Sequence, residues 1–166
     1  MYQTTAHHDN GRGRVAASSA PNMSNFSEGS FDGELFAVTD IGAEPERLRV
    51  LVVDDAPDVT EMIALLMSYA GYQVATAFSA AEAFDAARSG RFDAVISDIG
   101  MPGMNGYQLA EALRALPGYE STPLIAVTGF TMYDDRERAR AAGFDGFLTK
   151  PINPSDLIEA VKRLCG

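Results

Sequence analysis

Residues 50–55 read VLVVDD, a run of four apolar residues followed at once by two carboxylates. A short, mostly β-branched run of this kind is typical of a strand that is buried on both faces, as in a parallel sheet. The next segment, Asp58–Ala70, carries apolar residues at helical spacing, and Gly71 follows it as a C-terminal cap would. The regular part of the chain therefore begins with a buried strand, an acidic pair and a helix.

The same alternation continues to the end of the chain. Further strands are predicted at Gln73–Ala77, Ala94–Ser97, Leu124–Val127 and Gly146–Leu148. Helices are predicted from Ser79 to near Gly90, from about Tyr107 to Leu116, from about Tyr133 to Ala142, and from Asn153 to Leu164. Short apolar strands that are each followed by a helix predict an α/β fold, with a five-stranded parallel sheet covered by helices on both faces.

The composition changes near residue 48. Residues 1–47 are rich in Ser, Gly, Asn and Ala, and their apolar residues show no sustained period. Such a stretch buries too little apolar surface to offset the entropy of ordering it. We therefore expect a disordered tail over 1–47, in which only Glu34–Ile41 is apolar enough to dock on a folded surface, and a single folded domain over 48–166.

The charge of the chain restricts its partners. The formal net charge is -10 at pH 7, which disfavours binding to nucleic acid or to an anionic membrane surface. No apolar run reaches the roughly 18 residues of a membrane-spanning helix. Cys165 is the single cysteine and has no partner within the chain for a disulfide, as suits a reducing compartment. We expect a soluble, cytoplasmic protein.

Polar side chains follow four of the five predicted strands: Asp54 and Asp55 after the first, then Asp98, Thr128 and Lys150. Because ligands bind beyond the carboxyl ends of the strands in an open parallel sheet, we expect these residues to form one site. Three carboxylates in one place need a cation, and Mg²⁺ suits a site with few carboxylates and several waters. One carboxylate then becomes usable as a nucleophile towards phosphorus. Lys150 and the hydroxyl of Thr128 would bind phosphoryl oxygens.

Each of these residues also has a simpler interpretation. An aspartate after a strand is usually a turn or cap residue, and a lysine before a proline usually lies on the surface. The spacing of Gly100, Gly103 and Gly106 indicates turns rather than a nucleotide-binding loop. It is the convergence of all four strand ends on one chemistry that favours a phosphoryl-transfer site.

Four stretches resemble the receiver domain of two-component response regulators: VLVVDD at 50–55, ISDIGMPGMNGY at 96–107, AVTG at 126–129 and GFLTKPI at 146–152. The resemblance covers roughly residues 48–165. It implies a flavodoxin-like sheet with strand order 2-1-3-4-5. It also implies that Asp98 is the phospho-acceptor, and that Asp54, Asp55, Asp98 and the backbone carbonyl of Gly100 hold Mg²⁺.

The resemblance also assigns the remaining roles. Thr128 would be the switch hydroxyl, Lys150 the lysine that contacts the phosphoryl group, and Phe147 the aromatic residue that moves on activation. The peptide bond between Lys150 and Pro151 would be cis. In the family, the face formed by helix four, strand five and helix five meets output partners, although alternating charges such as Arg136, Arg138 and Arg140 usually mark a solvated helix face.

We therefore expect a phosphorylation-activated signalling switch that accepts its phosphoryl group from a histidine kinase or a phosphotransfer protein. Because the chain ends after the fifth helix, we expect it to act through protein–protein contacts, and not as an enzyme beyond its own phosphorylation and dephosphorylation. Two alternatives stay open at this stage. One is a phosphohydrolase such as those of the haloacid-dehalogenase family, and the other is a binding module of the same fold that works without phosphate.

Overall fold

A computed structural model of the chain describes residues 46–129 and 134–166. Its strands are β1 (Arg49–Val53), β2 (Gln73–Ala77), β3 (Ala94–Asp98), β4 (Leu124–Thr128) and β5 (Gly146–Thr149). Its helices are α1 (Pro57–Tyr69), α2 (Ala80–Ser89), α3 (Gly106–Arg114), α4 (Asp135–Ala142) and α5 (Pro154–Cys165). Residues 1–45 of the predicted tail, its docking segment included, and the predicted helix start at Tyr133 lie outside the described residues.

The five strands form one parallel sheet in the order β2-β1-β3-β4-β5. This confirms the predicted α/β class, the parallel sheet and the flavodoxin-like strand order. After β1 the chain adds β2 on one side of it, and then crosses to add β3, β4 and β5 on the other side. The strand order therefore reverses between β1 and β3. In such sheets the crevice at this point is where ligands bind.

Alternate residues of each strand enter two separate cores, one on each face of the sheet. Leu51 and Val53 of β1 face the core that α2, α3 and α4 cover. Val50 and Val52 face the core that α1 and α5 cover. Because side chains alternate along a strand, a strand with helices on both faces must be apolar at every position, and this is the physical reason for the unbroken apolar run in the sequence.

Residues at the ends of the helices fix where each helix begins or stops. Ser79 accepts a hydrogen bond from the amide of Glu82 at 3.1 Å and so caps the N-terminus of α2. Gly143 ends α4 with a φ of 110°, in the left-handed region that glycine enters without strain. Pro154 occupies the first turn of α5, where its missing N–H costs nothing. These signals were read correctly from the sequence.

Helix α1 differs from its sequence pattern. The apolar periodicity indicates one buried stripe, yet the residues buried on α1 are Thr60, Ile63 and Met67. Met62, Leu65 and Tyr69 are exposed, with Tyr69 at 93%. Apolar residues therefore occupy two faces of this helix, and only one of them packs on the sheet. No helix in the described part of the chain has both the length and the apolar character needed to cross a bilayer.

Candidate functional site

The three predicted carboxylates meet at the carboxyl ends of β1 and β3. Asp54 and Asp55 directly follow β1, and Asp98 is the last residue of β3, the strand that pairs with β1. Each offers a carboxylate oxygen, and these oxygens all lie within 4.8 Å of one another. Asp54 and Asp98 are buried, whereas Asp55 is exposed. The structure thus brings together the three carboxylates that the sequence predicted to lie in one site.

The orientation of Asp54 is fixed by the start of α1. One carboxylate oxygen accepts a hydrogen bond from the amide of Ala56 at 2.9 Å. The buried hydroxyl of Thr60 donates to the backbone carbonyls of Asp54, at 2.9 Å, and Ala56, at 3.1 Å. Thr60 was not predicted from the sequence, although a polar residue on the sheet-facing side of a helix is a signal that it has a specific partner.

Lys150 reaches this acidic edge from the end of β5. Its ammonium lies 2.8 Å from the carboxylate of Asp54 and 3.6 Å from that of Asp98. Burial lowers the pKa of the lysine, but the hydrogen bond to Asp54 and the charge of Asp98 outweigh it, so the pKa is raised above its ordinary value. The lysine is therefore a permanent cation between two buried carboxylates. Its peptide bond to Pro151 is cis, as predicted.

Asp98 lies in an environment that disfavours its charge. Burial and the neighbouring carboxylate of Asp54 raise the pKa of Asp98, and together they outweigh Lys150 and the backbone amides of Ile99 and Gly100, which lower it. The Ile99 amide donates to one carboxylate oxygen of Asp98 at 2.8 Å. Any further positive charge that enters the site would stabilise the ionised form of Asp98.

The loop after β3 needs glycine at two positions. Gly103 has a φ of 74°, which confirms a turn. At Gly106 a Cβ atom would clash with the backbone carbonyl of Asp98 and lie 2.7 Å from the Cα of Ile99. The start of α3 therefore packs directly against the backbone of Asp98. The glycine spacing in this loop serves backbone geometry, as the sequence analysis concluded.

Thr128 and Phe147 lie on neighbouring strands on the same face of the sheet. Thr128 ends β4 and is fully buried. Phe147 of β5 pairs with Ala126, two residues before Thr128, and is only partly buried against the core under α4. Residues two apart on a strand share a face, so both side chains are directed to the side of the sheet that α4 covers.

The comparisons with known proteins agree with this fold and this site. Residues 50–162 match the model of the response regulator receiver domain. The chain belongs to this family, whose members are the phosphorylation-dependent switches of two-component signalling. The transcriptional regulatory protein PrrA of Mycobacterium tuberculosis is 38% identical over 116 residues, which cover 70% of this chain and 49% of PrrA. The chain thus spans about half the length of this relative.

Solved structures show the same architecture. The chemotaxis protein CheY4 of Vibrio cholerae aligns with a TM-score of 0.69 and 36% identity, covering 71% of this chain and 98% of that one. The receiver domain of a sensor histidine kinase from Pseudomonas aeruginosa aligns with a TM-score of 0.68 and 28% identity, covering 72% and 98%. That receiver domain was solved with a magnesium ion coordinated in its active site cleft.

The acidic cluster formed by Asp54, Asp55 and Asp98 fits the metal site of a receiver domain, because it offers oxygen ligands of the kind that Mg²⁺ binds. The family assignment also excludes one of the two alternatives left by the sequence. A receiver domain is a signalling switch and not an enzyme of metabolism, so the phosphohydrolase alternative was wrong.

Proposed function

We propose that Asp98 accepts a phosphoryl group and that this modification switches the domain between two signalling states. The observation that carries the proposal is the convergence of three carboxylates and one lysine at the β1–β3 edge, where strand order reverses. A purely structural site would balance these charges. Here the ammonium pairs with Asp54 and Asp98 while Asp55 adds a third carboxylate, which leaves a net negative charge for a cation to neutralise.

Asp54, Asp55, Asp98 and the backbone carbonyl of Gly100 would hold a Mg²⁺ ion in this proposal. When bound, the ion screens the negative charge of an incoming phosphoryl group. Asp55, as the exposed member of the cluster, leaves the site open to solvent, as a metal that keeps several waters requires. The Pseudomonas receiver domain with its bound magnesium supports this assignment.

The chemical step is a phosphoryl transfer to a carboxylate. One Asp98 oxygen forms a bond to phosphorus while the bond from phosphorus to the donor nitrogen of a phosphohistidine breaks. Lys150, held between the two buried aspartates, would contact a phosphoryl oxygen, and the Thr128 hydroxyl would donate to another. The Ile99 amide already bonds one Asp98 oxygen at 2.8 Å and so restricts the orientation of the nucleophile.

The output of the switch follows from the placement of Thr128 and Phe147. If Thr128 moves towards the phosphoryl group, the space it leaves lies on the face of the sheet that Phe147 shares. The partly buried ring would then move inward and change the surface formed by α4, β5 and α5, including Arg138, Phe147 and Lys162. Couplings of this kind are typically ~1–3 kcal/mol between two sites.

The donor in this proposal is a histidine kinase or a histidine phosphotransfer protein, and the receiver of the signal is a protein that binds the α4–β5–α5 face. The proposal places the reaction in the cytoplasm, where a lone cysteine such as Cys165 stays reduced. Membranes and nucleic acids are not among the proposed partners, given the net charge of -10.

Intact mass spectrometry after incubation with acetyl phosphate and Mg²⁺ tests the proposal. We expect one added phosphoryl group on the wild-type chain and none on Asp98→Asn. The matched control is Asp85→Asn, which changes an exposed aspartate in the middle of α2, outside the acidic cluster, and should be modified like the wild type. Chelation of the metal should prevent the modification.

A phosphoryl group on Asp98→Asn, or unchanged modification in the presence of a chelator, would contradict the assignment. Peptide mapping of the modified chain separates Asp98 from Asp55, because a group on Asp55 would move the acceptor role to the exposed carboxylate. Lys150→Ala should reduce the rate of modification without abolishing Mg²⁺ binding, since the lysine is not a metal ligand.

A further inference from the structure

The arginines of α4 do not form one solvated face. Arg138 stacks over the ring of Tyr107 at 4.6 Å, on the side of α4 that faces α3. Arg136 lies over the ring of Phe147 at 5.4 Å, on the side that faces β5. Arg140 follows Arg136 by four residues and therefore lies on the same side of the helix. The alternating sequence thus divides into one arginine that packs on α3 and two that flank β5.

A groove of about 190 Å³ lies between α4, β5 and α5. Arg136 and Arg140 line it from α4, and Arg163 lines it from α5. Its other walls are partly apolar, with Ala139, Phe144 and Phe147. Pockets for small molecules usually measure ~300–1,000 Å³, so this groove suits side chains of a partner protein better than a whole cofactor.

The positive charge of the groove is not neutralised within the described part of the chain. Among residues 46–129 and 134–166, no carboxylate forms a salt bridge with Arg136, Arg140 or Arg163. Asp145 lines the groove, but its carboxylate pairs with Arg114 at 2.8 Å and accepts a hydrogen bond from the Leu124 amide at 2.9 Å. Asp145, the acidic residue among those that line the groove, is therefore already paired.

This concentration of positive charge is unusual for the chain as a whole. The sequence has 23 acidic and 13 basic residues, so a random surface position is more often next to a carboxylate than next to a second arginine. Three neighbouring guanidinium groups repel one another unless an anion joins them. Guanidinium groups bind carboxylates through two parallel hydrogen bonds, which makes a carboxylate a suitable anion for this site.

We propose that the groove formed by Arg136, Arg140 and Arg163 binds a segment of the output partner that combines Asp or Glu with apolar residues. The inference rests on the proposed function, because it names the chemistry of the partner that the α4–β5–α5 face meets. The acidic side chains would pair with the three arginines, and an apolar side chain would contact Phe144 and Phe147. The net charge of -10 of the chain disfavours long polyanions such as nucleic acids.

Phe147 connects this groove with the phosphorylation site. The Arg136 guanidinium lies over its ring. A change in the position of the ring would therefore change the position of the Arg136 guanidinium, one of the three cationic groups of the groove. A partner segment that needs all three guanidinium groups would therefore bind the two states of the domain with different affinities. In this way the groove would read the state of Asp98 without contacting it.

A fluorescently labelled peptide of alternating Glu and Leu, measured by anisotropy, tests the proposal. We expect binding to the wild-type chain, and a loss of affinity of roughly tenfold or more in a variant that carries both Arg140→Glu and Arg163→Glu. Both arginines are exposed, and Arg136, which stacks on the Phe147 ring, stays unchanged in this variant. Arg88→Glu on α2 is the matched control, an exposed arginine away from the groove, and it should bind like the wild type.

Equal peptide affinity in the wild-type chain and the double variant would overturn the proposal. So would competition by inorganic phosphate, or by a single-stranded oligonucleotide, at the same concentration as the unlabelled peptide, because the groove would then be a general anion site. An affinity that stays the same when Asp98 is phosphorylated would overturn the assignment to the output partner. If Asp98 is never phosphorylated, the proposed function fails, while peptide binding to the unmodified chain still reports on the groove.

Discussion

The carboxylates at the two ends of the parallel sheet differ in the partners that surround them. At the end where the strands begin, Asp93 accepts a hydrogen bond from the Arg49 amide at 2.6 Å, and Asp145 accepts one from the Leu124 amide at 2.9 Å while pairing with Arg114. At the end where the strands finish, Asp54 and Asp98 share Lys150, and Asp55 adds a third carboxylate to the same cluster. The first arrangement holds strands in place. The second leaves negative charge that only a ligand can neutralise.

The difference shows that charge alone does not indicate function in this fold. Asp93 and Asp145 are as close to strand ends as Asp54 and Asp98, but they precede strands that are not neighbours in the sheet, whereas Asp54 and Asp98 lie in one cluster with Asp55. Proteins commonly give up stability at functional sites and regain it elsewhere. In this chain, the site and the compensating contacts lie at opposite ends of the same strands.

Removing Arg114 should change the free energy of unfolding more than the other substitutions, because Arg114 holds the end of the sheet where the strands begin. Its guanidinium donates to the carbonyls of Tyr119, at 2.8 Å, Thr122, at 2.7 Å, and Gly143, at 2.6 Å, besides the Asp145 carboxylate. Arg114→Met leaves these acceptors without their donor and should lower the free energy of unfolding by about 3 kcal/mol. Urea denaturation measures the change.

The control for this prediction is Arg88→Met, because Arg88 is an exposed arginine near the end of α2. Surface substitutions of this kind usually stay within about 0.5 kcal/mol of the wild type. Equal urea midpoints for Arg114→Met and Arg88→Met would show that the network seen around Arg114 contributes little to stability.

Mg²⁺ should have an intermediate effect on stability, and this effect tests the acidic cluster at the carboxyl ends of the strands. An ion that binds the folded state alone stabilises it by RT ln(1 + [L]/Kd), about 1.4 kcal/mol at ten times Kd. We expect thermal unfolding of the wild-type chain to shift upward with Mg²⁺ and that of Asp55→Asn to shift much less. Asp55 is exposed, so its replacement should not disturb the fold itself. An unchanged response in Asp55→Asn would remove this residue from the metal site.

Asp98→Asn should have the smallest effect, and its sign is the informative part. Burial and the nearby Asp54 raise the pKa of Asp98, so its ionised form is less favourable in the folded than in the unfolded chain. The neutral amide lacks this penalty and should raise the free energy of unfolding by about 1 kcal/mol at pH 7 without Mg²⁺, a common size for stabilising changes. Urea denaturation at several pH values measures the gain.

The pH dependence provides the internal control for Asp98→Asn. Below the unfolded pKa of an aspartate, ~3.9, the wild-type carboxyl is protonated in both states and the gain should vanish. As the pH rises through the raised folded pKa, the wild-type chain loses stability and the gain should reach its full size. A destabilising effect at pH 7 would mean that the Ile99 and Lys150 contacts of Asp98 outweigh its burial and its repulsion from Asp54.

Much of this molecule is determined locally. The apolar run at 50–53 indicates a strand buried on both faces, because a residue on either face then meets a helix. Ser79, Gly143 and Pro154 mark helix ends by their own backbone and hydrogen-bonding properties, without help from distant residues. That Asp54, Asp55 and Asp98 lie at one edge follows as well, since parallel strands bring their carboxyl ends to the same edge, but their close approach depends on the pairing of β1 with β3.

Packing of the folded chain determines which charges meet across long sequence separations. Lys150 lies closer to Asp54 than to Asp98. Arg114 donates to the Thr122 and Gly143 carbonyls and to the Asp145 carboxylate. Packing of the helices on the sheet fixes these distances. The same packing turns Met62, Leu65 and Tyr69 of α1 outward, although their spacing resembles that of a buried stripe. It also separates Arg138 from Arg136 and Arg140. Periodicity specifies a helix and its faces, but the neighbours of each face depend on the rest of the fold.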